Sequence, residues 1–237
     1  MQEEEIARSA ALEQRHWWYA ERRELVRRTV AGWPVGRALD IGCGSGGNAR
    51  VLAGLGWRVT GVEHSPEACR IAASRGLAVV RGDGTRLPLR DASMDLVLST
   101  DVWEHIDDDA AVAAETARVL RPGGRALIAV PAGTALWGGH DVALGHFRRY
   151  EREGLAALVR GAGLEIDDLW SWNVLLRPVV RARRRRRTAP ESEMEKVSPA
   201  LNAGLRAAVM AERVLPLRRL PGVSLVVTAH KPRGARR

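Results

Sequence analysis

Apolar positions run along this chain in two alternating rhythms. Short apolar runs occur in RALDI (37–41), WRVTGVE (57–63), LAVVRGD (77–83), MDLVLST (94–100), GRALIAVP (124–131), LEIDDLWSW (164–172) and GVSLVVTAHK (222–231). Each has the length and β-branched content of a buried strand. Between them, ERRELVRRTVAG (21–32), GNARVLAGLG (47–56), SPEACRIAASRG (65–76), DDDAAVAAETARVL (107–120) and YEREGLAALVRGAG (150–163) space their apolar residues three and four apart, as one face of a helix does. Ser65 followed by Pro66 is a helix start, the acidic first turn of 107–120 suits the helix dipole, and glycines close most of these segments. Strand alternating with helix predicts a parallel sheet covered on both faces. There is no internal repeat.

The turn after the first strand, in ALDIGCGSGG (38–47), places Gly42, Gly44 and Gly47 in a G-x-G-x-x-G pattern. Bare backbone entering a helix N-terminus brings a ligand close to the main chain without saying which ligand. In open sheets of this kind ligands lie beyond the strand C-terminal ends. Those ends carry Asp40, Glu63, Asp83 with Gly84, and Ser99-Thr100-Asp101. Glu63 stands where a carboxylate accepts both hydroxyls of a ribose, and Asp83 where it can take an amino proton of adenine. Asp40 separates the cofactors: a carboxylate there repels a pyrophosphate and attracts a sulfonium and an ammonium. The bland alternative for each carboxylate is a cap or a solvated loop.

With those residues in place, the chain resembles the class I S-adenosylmethionine-dependent methyltransferases. The resemblance lies in LDIGCGSG, VTGVEHSPEACRIA, RGDGTRLPLRDASMDLVLSTDVWEHIDD and ETARVLRPGGRALIAVP, across about residues 37–131. More loosely, HWWYAERRELV and HDVALGHFRRYERE resemble a bacterial small-molecule branch, the type 11-like methyltransferases. This implies an α/β fold with a Rossmann-like, seven-stranded, mostly parallel sheet, helices on both faces and an antiparallel last strand. It implies S-adenosylmethionine as cofactor and S-adenosylhomocysteine as product. The cofactor would meet Asp40, Gly42, Cys43, Gly44, Glu63, His64, Asp83, Gly84 and Thr100, with His16 and Tyr19 reaching it from the N-terminal segment. The chain then divides into an N-terminal helical cap (1–33), the cofactor-binding core (34–172), a helical arginine-rich insertion (173–222), and the last strand with a basic tail (223–237).

Methyl transfer needs nucleophile, methyl carbon and sulfur aligned, and for a hydroxyl a place for the proton. His146, His105, Tyr150 and His140 are the candidates for that work, since imidazole titrates near neutral pH. Loop-stitching hydrogen bonds are the alternative for the histidines. Asp101, Glu104 and His105 resemble a segment of ubiquinone-biosynthesis O-methyltransferases that can bind a divalent metal. Here Asp replaces the first Glu and no further His or Cys cluster supports an ion, so no metal is expected. The expected reaction is O-methylation of a hydroxyl or carboxyl on a hydrophobic or anionic metabolite. The alternative is C- or N-methylation of a small molecule, peptide or lipid-linked substrate. The base-amino and cytosine methylase motifs are missing after strand four, which argues against a nucleic-acid substrate, and intact Asp40, Glu63 and Asp83 argue against a purely structural binding module.

Charge changes the picture at one end. The chain of 237 residues is 46% hydrophobic and 27% charged, ordinary for a globular protein. Its net charge of +9 is nevertheless uneven: residues 171–237 carry 16 Lys and Arg against 4 Glu, whereas residues 1–170 are mildly acidic. The surplus centres on RARRRRR (181–187), inside some fifty residues between strands six and seven, and insertions of that length are usually functional or disordered. Apolar Val174 to Val180 ahead of the arginines reads as an interfacial element on anionic lipid or as a cap over the substrate; a solvated linker is the plain alternative. The acidic start lacks a signal-peptide core, no apolar run reaches the ~18 residues of a membrane span, and the two cysteines form no disulfide or metal spacing. The expected location is cytoplasmic, with peripheral contact at the inner membrane surface; the pattern fixes no oligomeric state.

Overall fold

The structure, a computed structural model, describes residues 10–13, 15–186 and 198–233. The seven apolar runs form the strands β1 Arg37–Ile41, β2 Arg58–Glu63, β3 Ala78–Arg81, β4 Met94–Thr100, β5 Leu120–Pro131, β6 Glu165–Trp172 and β7 Ser224–His230. They lie in one sheet in the order β3-β2-β1-β4-β5-β7-β6. The β1–β2, β1–β4, β2–β3 and β4–β5 pairs are parallel, and β7 runs antiparallel between β5 and β6. The chain order reverses beside β1, so the β1 and β4 C-terminal ends flank a crevice, the place where such sheets take ligands.

Both faces of the sheet are covered, which is why the central strands are apolar at nearly every position. Along β1 and β4, Leu39, Ile41 and Val97 point into one layer, with Trp103, Val112, Leu155 and Val159. Their neighbours Ala38, Leu96 and Leu98 point into the other, with Val26, Leu52, Trp170, Trp172 and Val209. The first layer is closed by α4 Asp109–Val119 and α6 Arg152–Gly161. The second is closed by α1 Trp17–Val30, α2 Gly47–Gly54 and α8 Pro199–Ala211, while α3 Pro66–Ser74 follows β2. As its sequence foretold, α3 starts on Ser65, whose hydroxyl accepts from the Ala68 amide, with Pro66 at the first helical position.

Two local features differ from the pattern reading. β5 starts at Leu120, four residues before the apolar run, because Leu120 pairs with Met94 across an irregularity in the ladder, where Gly123 takes a left-handed φ of 80° and donates to the Lys231 carbonyl. The polar loop after β5 is not extended but holds a short helix, α5 Gly139–Ala143.

The insertion contributes α7 Arg177–Arg186 and α8. Its apolar lead-in is docked: Val174 and Leu176 are buried, whereas Leu175 and Val179 are exposed. α8 lies against α1, where buried Glu21 accepts from Arg206 Nε at 2.9 Å and from Arg213. Asn202 Oδ1 accepts from the Trp17 amide at 2.8 Å, satisfying one of the unpaired donors at the start of α1. The tail beyond Arg233, Arg187 of the arginine run, and the acidic start up to residue 9 lie outside the described residues.

Candidate functional site

A cavity of about 360 Å³ opens at the C-terminal ends of β1, β2 and β4. Its floor is the glycine turn, in which Gly42, Gly44 and Gly46 take φ of 64°, 52° and 86°. The Gly42 and Cys43 amides donate to the Val62 carbonyl and the Gly46 amide to the Cys43 carbonyl, which holds the turn in place. A Cβ on Gly44 would meet nothing within 4 Å, so that face of the backbone is bare. Glu63 braces the turn: its carboxylate accepts the Gly44 and Ser65 amides, each at 2.9 Å. A carboxylate has about four acceptor positions, so both oxygens keep capacity for a pair of ribose hydroxyls.

Asp40 lies behind the turn, 1% exposed and outside the cavity lining, and its Oδ2 has no partner. Burial pushes its carboxyl up to about 7, against the pull of Arg22 and the Ala49 amide and helped by Glu63. Bare glycine backbone, spare acceptor capacity on Glu63 and a buried carboxyl with one unpartnered oxygen behind the turn fit a nucleoside cofactor that carries positive charge.

The other sequence-named cofactor residues divide by position. Gly42, Cys43, Thr100, His16 and Tyr19 line the cavity; His64, Asp83 and Gly84 do not. His16 is also the cap of α1, its Nδ1 accepting from the Trp18 amide at 3.2 Å. Thr100 Oγ1 accepts from Asn48 Nδ2 at 2.9 Å. Cys43 packs on Gly61, where a Cβ would come within 2.5 Å of its sulfur, and burial pushes its thiol up. Exposed Asp83 accepts the Thr85 amide at 2.8 Å, a bond that draws its carboxyl down.

The opposite half of the cavity is built by the segments after β4 and β5. Asp101, held in a left-handed backbone with φ 54°, is ion-paired with Arg22 of α1. Glu104 is 1% exposed, and its Oε2 finds no partner. Burial, and then Asp101, push its carboxyl well up. The His105 and His146 rings stand edge to face with centroids 4.6 Å apart. Burial, then the neighbouring His146, push His105 down to about 4, and one of its ring nitrogens bonds to the backbone of Gly145.

His146 Nδ1 is 2.9 Å from Oδ1 of Asp141, which is fully buried and also accepts from Arg149 Nε at 2.9 Å and Arg184 Nη1 at 3.0 Å. Burial raises the Asp141 carboxyl, but the His146 hydrogen bond and the two arginines outweigh it and hold it well below the carboxylate range. His140 lines the same wall, 6.3 Å from His146. Tyr150 is outside the lining: its hydroxyl donates to Asp109 at 2.9 Å, and burial, then Asp109, push it up. Of the segment named for a metal, Glu104 and His105 face His146, and one donor atom from each of these three lies within 4.8 Å of the others.

Four participants had weak sequence signals. Glu13 clamps the N-terminal segment on the turn, accepting from Ser45 Oγ and Arg75 Nη1 at 2.6 Å each, so close to Gly47 that a Cβ there would fall 1.7 Å from Oε1. Asp141 and Arg149 read as loop polarity. Asn173, fully buried with φ 58° and both amide atoms unpartnered, lines the cavity where β6 meets the insertion; only its turn-forming residue type could have drawn attention to it. The roof is α7, through Val179, Val180, Arg183 and Arg184.

Comparison with known proteins agrees with this geometry. Residues 39–128 match the family model of a methyltransferase domain. A probable S-adenosylmethionine-dependent methyltransferase of Mycolicibacterium smegmatis (strain ATCC 700084 / mc(2)155) is 33% identical over 162 residues, covering 66% of this chain and 63% of the relative. An uncharacterized methyltransferase of Mycobacterium sp. (strain JLS) is 39% identical over 117 residues, 48% of this chain and 46% of that one. The chain thus spans about half to less than two thirds of these relatives' length. Among solved structures, Haemonchus contortus phosphoethanolamine N-methyltransferase 2 with S-adenosyl-L-methionine superimposes with a TM-score of 0.63 at 22% identity, over 90% of this chain and 52% of that one. A chain of the complex between the Haloferax volcanii Trm112 methyltransferase activator and a methyltransferase gives 0.66 at 24% identity, over 98% and 96%.

Proposed function

From the premise that this chain carries a class I S-adenosylmethionine-dependent methyltransferase domain, we propose that it methylates a small molecule, at an oxygen of a hydrophobic or anionic acceptor. One observation carries the reading: a single cavity runs from Gly44 and Glu63 to His105 and His146 under the arginine-bearing helix α7. Bound there, the cofactor supplies an electrophilic methyl group on a sulfonium. Gly44 and Glu63 fix the nucleoside end. The histidine pair meets the acceptor's oxygen and positions it; burial keeps His105 neutral, with a lone pair to accept a hydrogen bond from that oxygen, and makes it a weak base. Leu176, Val179 and Val180 receive an apolar body, while Arg183 and Arg184 favour negative charge on it. C- and N-methylation remain the alternative within the same pocket.

Calorimetry tests the cofactor half. S-adenosylhomocysteine binds and NAD does not, and Glu63→Ala weakens binding by about 1–3 kcal/mol, the loss of a buried acceptor. NAD binding, or an unchanged Glu63→Ala, overturns it. For the acceptor half, a metabolite extract incubated with methyl-labelled cofactor gives a labelled small molecule that survives nuclease and protease treatment. With that acceptor in hand, His146→Ala or His105→Ala lowers turnover roughly 100-fold while cofactor affinity stays near wild type. Full turnover in both variants at every pH removes the histidines from the chemistry.

A further inference from the structure

Three details of the histidine wall are unexplained by methyl transfer alone. The Glu104 carboxylate is buried with Oε2 unpartnered, which is costly unless something compensates it. Each histidine facing it has one ring nitrogen tied back: His146 Nδ1 to the Asp141 carboxylate, and a nitrogen of His105 to the Gly145 backbone. That leaves one nitrogen on each ring to present a lone pair. Histidines held by a carboxylate or a backbone carbonyl, with the second nitrogen turned to a shared point, form the arrangement that orients metal ligands. Asp141 is itself fixed by Arg149 and Arg184, so its carboxylate is a rigid anchor.

We propose that Glu104, His105 and His146 form a binding site for a divalent first-row transition-metal ion whose remaining coordination positions face the cavity and receive the acceptor's oxygen. Two imidazoles and one carboxylate suit iron, manganese, cobalt or zinc, and three protein ligands leave positions open. The donor atoms lie within 4.8 Å of one another, and bonds of about 2.0–2.2 Å require them to draw in by an ångström or so, a side-chain adjustment. This ligand set differs from the one the sequence resemblance points to, in which Asp101 is the first ligand. Here Asp101 is committed to Arg22, and His146, forty-one residues after His105, takes the third place. The inference deepens the acceptor half of the proposed function: the histidine pair acts on the acceptor's oxygen through an ion rather than as free imidazoles.

Cobalt(II) is the probe. The full chain, stripped with a chelator and titrated with Co(II), shows visible d–d absorption that saturates at one ion per chain. Glu104→Gln and His146→Gln each weaken Co(II) binding by at least the roughly 10–100-fold that disturbing a metal ligand's surroundings costs. Asp101→Asn keeps Co(II) affinity within about threefold, since Asp101 is not a ligand. S-adenosylhomocysteine binding, measured by calorimetry on the same samples, reports that each variant is folded and tests the cofactor reading separately. Absence of stoichiometric Co(II) binding in a chain that binds S-adenosylhomocysteine overturns the site. So does Co(II) binding that His146→Gln leaves intact, and loss on Asp101→Asn alone returns the ion to the other ligand set.

Discussion

Asp40 shows how one buried side chain ties stability to pH. Its folded carboxyl titrates at about 7 against an ordinary 3.8, because burial outweighs Arg22 and the Ala49 amide, and Glu63 and Glu13 add repulsion. A carboxyl raised on folding contributes stability that is full below about pH 4 and is lost as pH rises through 7. The loss by pH 8 is on the order of 4 kcal/mol, since each tenfold change in proton affinity is worth about 1.4 kcal/mol. Asp40→Asn keeps an acceptor for the Ala49 amide and cannot ionise. It is therefore expected to melt above the wild type at pH 8 and to lose that advantage near pH 4. Differential scanning calorimetry across this range checks it; a pH-independent difference would mean that the ionised carboxylate is not the costly species. At this scale the sequence reading was uneven for a physical reason. Strand-end carboxylates and glycines are visible because period and position mark them. Glu13 and Asp141 gain their significance from partners far along the chain, Arg75 and Arg184, and Asn173 gains its own from the cavity that the fold places beside it.

Elements were the most legible level. All seven strands sit on the apolar runs, and Ser65-Pro66 starts its helix where the capping chemistry requires. Boundaries moved where tertiary pairing decided them, as Met94 does opposite Leu120 to lengthen β5. The insertion was legible as helical, and α7 and α8 lie within it; where α8 packs was not, because its seat is set by contacts with α1. Asn202 accepts from the Trp17 amide, and Glu21, 2% exposed, joins Arg206 and Arg213. Both arginines remain partly exposed, so solvent screening limits the pairs to about 1–2 kcal/mol together. Glu21→Ala is expected to speed amide exchange across Pro199–Ala211 while leaving β1 and β4 protected. Mass-spectrometric hydrogen exchange reads this directly, and an equal change in the central strands would show that Glu21 supports the whole core instead.

For the whole molecule, the uneven charge and the placement of the insertion bear on one question: what the basic surface meets. Among the described residues no helix is long and apolar enough to cross a membrane. The insertion nonetheless exposes Val179, Leu201, Met210, Val214, Leu215 and Leu220, which are more than half as exposed as they could be or close to it. The same segment holds the arginine run, whose Arg183 and Arg184 line the cavity while Arg181 is exposed. Apolar side chains among arginines match the boundary between anionic headgroups and acyl chains, where each basic residue near the surface adds about 1 kcal/mol. An insertion seated on lipid would also place the cavity roof, and with it an apolar acceptor's entry, at the membrane. The chain is therefore expected to pellet with phosphatidylglycerol-containing vesicles at low salt, to stay in solution with neutral vesicles, and to release as salt rises. Val214→Ser combined with Leu215→Ser should weaken pelleting without changing S-adenosylhomocysteine affinity, because neither residue lines the cavity. If the wild-type chain binds S-adenosylhomocysteine but ignores anionic vesicles, α7 and α8 serve only to cover the acceptor.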